Sequence, residues 1–347
     1  MSVSCIDPTT DPRWLTLLTA RGGCVFHSPP WLNSLVDTYG FRLYAHLVVD
    51  DAGHPVAGAP FCRVSDFVGE RIASLPFSDY CNPLVRSAAE WEALLREFEA
   101  SGLPVSFRCL DDRTVSADAR LAVVKRARWH GLDVRPDLEI LWAGVAASTR
   151  RAIRKAEREG VIVRAIDDET LIAEFMRLHV ALRKRKYRLL AQPGAFFEAL
   201  RRRFAAVDGW FPLAACHRDR VVAVTIYLRW KDTLYYKFNA SLPEALALRP
   251  NDALLWEGIR LARRLGCCRL DLGASDDDQP GLIRFKRHYG AAEREIRFLR
   301  YTPPEHAVER ERHAGALLAR LSQLFTESEV ADDVTGCAGA ALYRFFA

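Results

Sequence analysis

Lysine is scarce in this chain of 347 residues, with 7 Lys against 42 Arg. The imbalance has two readings. One is a coding bias toward Arg; the other is planar, bidentate recognition of anions, which Arg performs better than Lys. Long apolar runs are also missing. No stretch approaches the roughly 18 apolar residues of a membrane-spanning helix, so no span is expected. Residues 1–11 hold neither a basic n-region nor an apolar h-region, so no signal peptide is expected and the protein reads as soluble and cytoplasmic. Low-complexity linkers and internal repeats are absent. The nine Cys, at 5, 24, 62, 81, 109, 216, 267, 268 and 337, form no C-x-x-C. That odd, scattered set predicts free thiols in a reducing compartment and leaves no zinc-type spacing; no metal is expected. The adjacent Cys267-Cys268 is expected to be packed rather than bonded.

What is present is an ordinary globular composition: 50% apolar residues, 27% charged, net charge +5. That argues against disorder and coiled coil. The charge is modest for a dedicated nucleic-acid binder, and no DNA partner is expected. Length suggests about two domains.

Periodicity predicts alternating strands and helices. Residues 14–20 and 30–39 read as helices, the second entered through Pro29 and Pro30. Residues 43–49 and 56–64 read as strands joined by the Asp50–Gly53 turn, and 71–75 as another strand. Trp91, Leu94, Leu95 and Phe98 recur at i, i+3, i+4, i+7 within a helix over 88–101. Residues 105–110 and 138–141 read as strands. A basic helix over 146–158 follows, then a helix over 170–182 running into Arg183–Arg188, and a third over 196–204. Strands at 211–217, 221–230 and 233–240 form a meander. A helix over 251–265 ends at Gly266 as a C-cap. Residues 268–272 read as a buried strand, 273–279 as a polar loop, 282–288 as a short helix, 295–301 as a last strand and 309–325 as an amphipathic helix. The fold class is α/β (α+β). Expected domains are 1–145 and 146–347, the second carrying the helical extension.

Four stretches carry candidate chemistry. On the strand Leu234–Ser241, alternation sets Tyr236 and Phe238 on one face and Lys237 and Asn239 on the other. Either Tyr236 or Lys237 faces a cleft; a half-exposed sheet accounts for the same pattern. Before the long helix, Arg249-Pro-Asn-Asp252 offers Asn251 or Asp252 as a cap and Arg249 as a cation beside free helix N–H groups. Asp271–Gln279 is acidic, but no second ligand cluster completes a metal site. In Gly281–Gly290, Arg284 and Lys286 are cations suited to a phosphate or a developing oxyanion, while Phe285 and Tyr289 at i, i+4 suit simple packing.

In order, Ile153–Gly160, Asp232–Ser241, Arg249-Pro-Asn, Asp271–Ser275 and Gly281–Lys286 through Gly290 resemble the Fem-type branch of the GNAT N-acyltransferase superfamily, also labelled BioF-like acetyltransferase domain. The resemblance covers residues 145–301 well. Leu75–Tyr80 followed by Asn82-Pro-Leu84 extends it over nearly the whole chain. It implies two tandem GNAT-like domains, each a mixed central sheet flanked by helices, the first degenerate and on the substrate side. The best-known relatives move an amino acid from aminoacyl-tRNA onto an amine of a peptidoglycan precursor. Their Phe-Lys pair at the transfer site corresponds to Phe285 and Lys286. One departure stands out: the Arg/Gln-x-x-Gly-x-Gly/Ala loop of acetyl-CoA enzymes reads Arg249-Pro-Asn-Asp-Ala253 here, without either glycine that lets N–H groups approach a pyrophosphate.

The resemblance implies acyl or aminoacyl transfer to an amine of a small molecule or envelope precursor, by direct attack. No cofactor is permanently bound; the co-substrate is aminoacyl-tRNA or acyl-CoA. Lys286 is the candidate oxyanion stabiliser, and Asp276 or Asp79, water or the substrate itself the proton acceptor. Phe285, Tyr236, Lys237, Asn239, Arg249, Ser275, Arg284 and Tyr80 form the candidate substrate-binding set. Arg150, Arg151, Arg154, Lys155, Arg158, Arg183 and Lys184 form a candidate tRNA-backbone surface; a solvated helix face explains them as well. The rivals are an acyl-CoA-dependent N-acetyltransferase and a non-catalytic GNAT-like scaffold. A monomer or a homodimer fits equally.

Overall fold

The structure is a computed structural model that describes residues 2–167, 170–306 and 308–347. The chain packs as two compact units. One holds Met1–Ala127, Arg294–Arg320 and Arg344–Ala347; the other holds Arg128–Glu293 and Leu321–Tyr343.

In the first unit, β1 (Ser2–Ile6), β2 (Arg42–Val49), β3 (Pro55–Asp66) and β4 (Gly69–Ala73) run antiparallel in sequence order. β4 pairs parallel with β5 (Val105–Leu110), and β5 pairs antiparallel with residues 296–301 of β12 (Ala292–Tyr301). Helices α1 (Pro12–Arg21) and α2 (Pro29–Tyr39) each start on proline behind a side-chain cap, Asp11 and Ser28, where the missing N–H costs nothing. Helix α3 (Ala88–Ala100) buries Trp91, Leu94, Leu95 and Phe98 against Phe61 and Phe107. Phe98 meets both of those rings edge-on at 5.2 Å. The short α4 (Arg113–Ser116) follows β5. Strand β6 (Ala122–Asp133) carries the chain from the first unit into the second.

The second unit begins with α5 (Leu138–Gly144) and α6 (Ala147–Arg158). Then come β7 (Ile162–Ala165), α7 (Leu171–Leu182), α8 (Gly194–Ala205), β8 (Trp210–His217), β9 (Arg220–Trp230) and β10 (Thr233–Ser241). Helix α9 (Pro250–Arg264), β11 (Arg269–Asp276) and α10 (Pro280–Arg287) complete its main body. Strands β7 to β10 form an antiparallel meander, and β10 pairs parallel with β11. The β8–β9 turn holds Arg218 and Asp219 at φ 48° and 60°, the combination that suits a two-residue hairpin. Helices α11 (Val308–Phe325) and α12 (Asp332–Leu342) end the chain. Within the second unit α12 packs on α7, and Gly339 lies so close to the Ala191 carbonyl that no side chain fits there.

Three expectations are corrected. Residues 138–141 form α5, not a strand; a four-residue run with one buried member, Leu141, does not set a period. Residues 273–276 extend β11 instead of opening a loop. Neither Asn251 nor Asp252 caps α9: Arg249 occupies the N-cap in the left-handed region at φ 62°, with Pro250 as the first helical residue. Gly266, at φ 68°, ends that helix as expected. All nine Cys are free, with Cys267 buried and Cys268 exposed. The division expected near residue 145 falls inside the second unit. There Arg263 of α9 donates to the carbonyls of Val134 at 3.0 Å and Arg135 at 2.7 Å, holding the segment before α5 against α9.

Tyr227 of β9 is fully buried and donates to the Leu254 carbonyl at 2.9 Å. Its ring and hydroxyl fill the space a side chain on Gly258 would take. Gly258→Ala is therefore expected to destabilise the protein by about 1–3 kcal/mol through overpacking, despite alanine's better helix propensity. Urea denaturation measures it, and an unchanged or raised midpoint contradicts the packing described.

Candidate active site

Strands β10 and β11 pair at only three positions, Thr233 with Arg269, Leu234 with Leu270 and Tyr235 with Asp271. Both strands continue, to Ser241 and Asp276, without further pairing to each other. The sheet therefore opens between them. On its other side β10 shifts register against β9 between Tyr236 and Phe238, leaving Lys237 as the extra residue of a bulge. A bulge breaks strict alternation, and the expected faces are corrected accordingly. Tyr236 packs edge-on against Tyr227 at 5.6 Å, and Asn239 reaches Asn251 of α9, so both attend the α9 side. Phe238 packs against Phe197 of α8 at 5.0 Å. The Lys237 ammonium lies 5.4 Å from the centre of the Phe238 ring.

A polar network fixes the first turn of α9. The Asn239 amide donates to the Thr225 hydroxyl at 2.9 Å and to the Asn251 carbonyl oxygen at 3.2 Å, and the Asn251 amide donates to the Ser241 hydroxyl at 3.1 Å. The Asn239 amide nitrogen is thus engaged within the fold. Asp252, the next residue, is half-buried. Burial pushes its carboxyl up to about 6; the Arg249 guanidinium, its own backbone N–H, His288 and the Tyr289 phenol oppose that rise. Tyr289, buried behind α10, donates to the Asp252 carbonyl at 3.0 Å. Burial raises the phenols of Tyr236 and Tyr289 above their ordinary range, so both are neutral hydrogen-bonding groups.

On β11, Gly273 adopts φ 68°, open to glycine and strained for other residues. The Lys286 ammonium, 2% exposed, donates to the Gly273 carbonyl at 3.1 Å and the Ala274 carbonyl at 2.8 Å. The buried Asp271 carboxylate accepts from the Gly273 N–H at 2.7 Å and from the Trp129 indole at 2.8 Å. Ser275 is buried, and its hydroxyl has no hydrogen-bond partner among the described residues. Phe285 packs edge-on against Tyr289 at 5.4 Å, while Arg284 is exposed. Asp276 ends β11 half-buried. His130 is fully buried, 3.3 Å from the Glu293 carboxylate. Burial, helped by the Lys286 charge, holds His130 down at about 4, hence neutral near pH 7. Arg287 and Arg128 hold Glu293 down at about 2. Asp79 and Tyr80 belong to the first unit, where Tyr80 is a buried ring edge-on to Phe26 at 5.3 Å.

Residues 143–287 match the family model described as an acetyltransferase (GNAT) domain. This segment is a GNAT domain. A comparison with curated proteins returns no match. Among solved structures, FemX superposes with TM-score 0.66 at 13% identity, over 92% of this chain and 100% of that one. L-PGS from Bacillus licheniformis gives 0.54 at 14%, over 90% and 97%. A tandem GNAT protein from the clavulanic acid biosynthesis pathway gives 0.54 at 14%, over 88% and 100%. At these identities the likeness is one of fold, and it is the Fem-type, tandem GNAT fold expected from the motifs. Among the described residues no helix is long and apolar enough to cross a membrane.

Three residues of the expected tRNA surface of the GNAT domain, Arg150, Arg183 and Lys184, make internal contacts. Arg150 donates to the carbonyls of Trp142, Ala143 and Val145 at 3.2, 2.9 and 2.7 Å, closing the C-terminus of α5. Arg183 donates to the Leu190 carbonyl at 3.0 Å. Lys184, 3% exposed, binds the Val330 carbonyl and, at 3.1 Å, the carboxylate of Asp332, the first residue of α12. Arg151 and Arg158 are exposed on α6, Lys155 is half-exposed, and Arg154 lies over the Trp142 ring at 5.5 Å.

Because the folded-state pKa of Asp252 lies above 3.8, its contribution to stability is complete below about pH 4 and is lost as pH rises through about 6. Asp252→Asn is expected to be more stable than the wild type above pH 7, by up to about 3 kcal/mol. The two should converge below pH 4. Urea midpoints at pH 4, 6 and 8 test this; a difference constant in pH rejects burial as the cause.

Proposed function

We propose that the GNAT domain transfers an acyl or aminoacyl group directly to an amine in the opening between β10 and β11, with aminoacyl-tRNA as donor. The observation that carries the choice of donor is the first turn of α9. A pyrophosphate binds a helix N-terminus through close, free N–H groups. Here Pro250 removes one of them, no glycine opens the approach, and Asp252 puts a carboxylate in the first turn. An aminoacyl ester asks for no such cradle near its reacting carbon. The exposed cations Arg151 and Arg158, with Lys155, suit a phosphate backbone. The acceptor is an amine of a small molecule or envelope precursor.

In this reading the amine attacks the ester carbonyl, held close by Tyr236, Lys237 and Phe285, and the carbonyl oxygen gains negative charge. Lys286 supplies the buried positive charge on β11 beyond the last pair with β10. It stabilises that oxygen through its field and keeps the Gly273–Ala274 backbone in place. Ser275 and Arg284 complete the substrate-binding set, and Arg249 meets a donor phosphate. An acyl-CoA donor is the second reading; the match of residues 143–287 to an acetyltransferase domain favours it.

The deciding experiment offers charged tRNA or a series of acyl-CoAs with a labelled amine pool. The tRNA reading expects product from charged tRNA alone. It also expects that reversing Arg151, Lys155 and Arg158 to Glu weakens tRNA binding at least tenfold and flattens its salt dependence by about two to three in slope. Unchanged affinity in the reversed protein removes tRNA as donor. Lys286→Ala should lower kcat by about 10²–10³-fold while a labelled amine still binds; undiminished turnover removes Lys286 from the reaction.

A further inference from the structure

Helices α5, α6 and α9 of the second unit line a pocket of about 330 Å³, near the small end of the size range for ligand sites. Its apolar wall is a pair of indoles. Trp142 of α5 and Trp256 of α9 meet with ring centres 4.7 Å apart and planes at 57°. Trp256 is buried, whereas Trp142 stays half-exposed. Around the pair stand Glu139 of α5, Arg154 and Glu157 of α6 and Arg260 of α9, all exposed. The Arg154 guanidinium lies over the Trp142 ring, and that of Arg260 lies 5.7 Å from the centre of the Trp256 ring. We propose that this pocket binds the base of an unpaired purine nucleotide, guanine above the others, with the phosphate on α6. With RNA as the source the proposal rests on the tRNA donor reading above; recognition of the base itself does not.

The wall is fixed before any ligand arrives. Arg150 gathers the carbonyls of Trp142, Ala143 and Val145, and Arg263 holds the segment before α5 against α9. A half-exposed indole in such a frame is a stacking platform for a heterocycle. Stacking of a base outweighs an exposed cation–π contact, so the long Arg154 side chain yields the ring face and meets the edge of the base. The rim then selects the base. The Glu139 and Glu157 carboxylates only accept hydrogen bonds, and the two guanidiniums only donate. Guanine offers neighbouring N–H donors on its Watson–Crick edge to a carboxylate, and its O6 and N7 acceptors to an arginine. Arg151 and Arg158 stand three residues before and four after Arg154, on the same face of α6 and both exposed. They are placed to meet the phosphate next to the base.

Three other ligand classes fit this rim less well. A quaternary ammonium suits an aromatic pair, but here two guanidiniums already lie over the rings. An acyl chain suits indoles, but four charged side chains surround them and lose water when it enters. An anionic lipid surface suits the α6 arginines and the exposed Leu138 and Ile140. It also sets Glu139 and Glu157 against a surface of their own sign.

The test is calorimetric titration of the full chain with GMP, guanosine, AMP, UMP and a single-stranded RNA hexamer carrying one G among U. GMP should bind saturably and UMP about tenfold more weakly. Trp142→Ala should weaken GMP by about tenfold or more. Glu139→Gln with Glu157→Gln, exposed changes that leave the thermal midpoint in place, should weaken GMP about fivefold and spare AMP. Arg151→Ala with Arg158→Ala should weaken GMP and spare guanosine. A hexamer bound more tightly than GMP makes RNA the source; a hexamer bound more weakly makes it a free nucleotide. GMP affinity unchanged by both the Trp142 and the Glu139/Glu157 substitutions, or no saturable binding of GMP or hexamer, overturns the proposal. Binding to phosphatidylglycerol vesicles that Trp142→Ala abolishes and GMP does not compete also overturns it, in favour of a lipid surface. A protein that binds no nucleotide in this pocket yet transfers from charged tRNA loses the pocket and keeps the donor reading. One that binds GMP there and uses only acyl-CoA keeps the pocket and loses the donor reading.

Discussion

A parallel ladder that stops after three residue pairs is the constraint on which the candidate site depends. Backbone polar groups must find partners wherever a ladder ends. On β11 the partners are charged side chains: the Gly273 and Ala274 carbonyls turn to the Lys286 ammonium, and the Gly273 N–H turns to the Asp271 carboxylate. Each buried charge is thereby met by hydrogen bonds, as a buried charge requires. On β10 a bulge at Lys237 brings Tyr236 and Asn239 to the α9 side together. Asn239 and Asn251 then lock the helix start against the strand, and Asp252 is carried in with it. The opening, the left-handed glycine at 273, the buried lysine and the desolvated carboxyl stand on the connected elements β10, α9, β11 and α10.

The abundant arginine takes on a different meaning in the fold. The guanidinium presents five donors in a planar fork, and here that fork repeatedly gathers main-chain carbonyls. Arg150 closes the end of α5 and Arg263 the segment before it. Arg188 donates to the Thr326 carbonyl at 2.6 Å, beside the Lys184–Asp332 pair, and these contacts tie the end of α7 to the α11–α12 connection. Cations at helix C-termini are favourable in their own right. A basic stripe in sequence is therefore divided by the structure into arginines that hold the chain together and the few on α6 that remain exposed.

The order of elements was largely legible. Helix α3 followed from the spacing of Trp91, Leu94, Leu95 and Phe98, and the β8–β10 meander from short apolar runs broken by Arg218-Asp219 and Lys231-Asp232. Misreadings came where a local signal was short or where a rule held only without irregularity. Leu138–Leu141 was too brief to set a period, and a single extra residue at Lys237 inverted the expected faces of β10. Trp129 and His130 were missed as site neighbours because nothing in their local sequence marks them. His130 meets Glu293 from far along the chain, and Trp129 meets Asp271 in the same way.

The sequence by itself determined the fold class, the likeness of residues 143–287 to a GNAT domain and the ordered motifs around Phe285-Lys286 and Asp271-Leu-Gly-Ala-Ser275, because these are properties of residue type and spacing. Only the tertiary structure decided which charges are available. Burial and pairing turn on neighbours remote in sequence. Lys286 and Lys184 are both lysines in a chain rich in arginine, yet one lies against the Gly273 and Ala274 carbonyls of β11 and the other is buried against Val330 and Asp332. Asp252 reads as a helix cap in one dimension. In three it is a carboxylate whose desolvation exceeds the help of Arg249, His288 and its helix, and that balance of opposing terms comes into being only when β10, α9 and α10 meet.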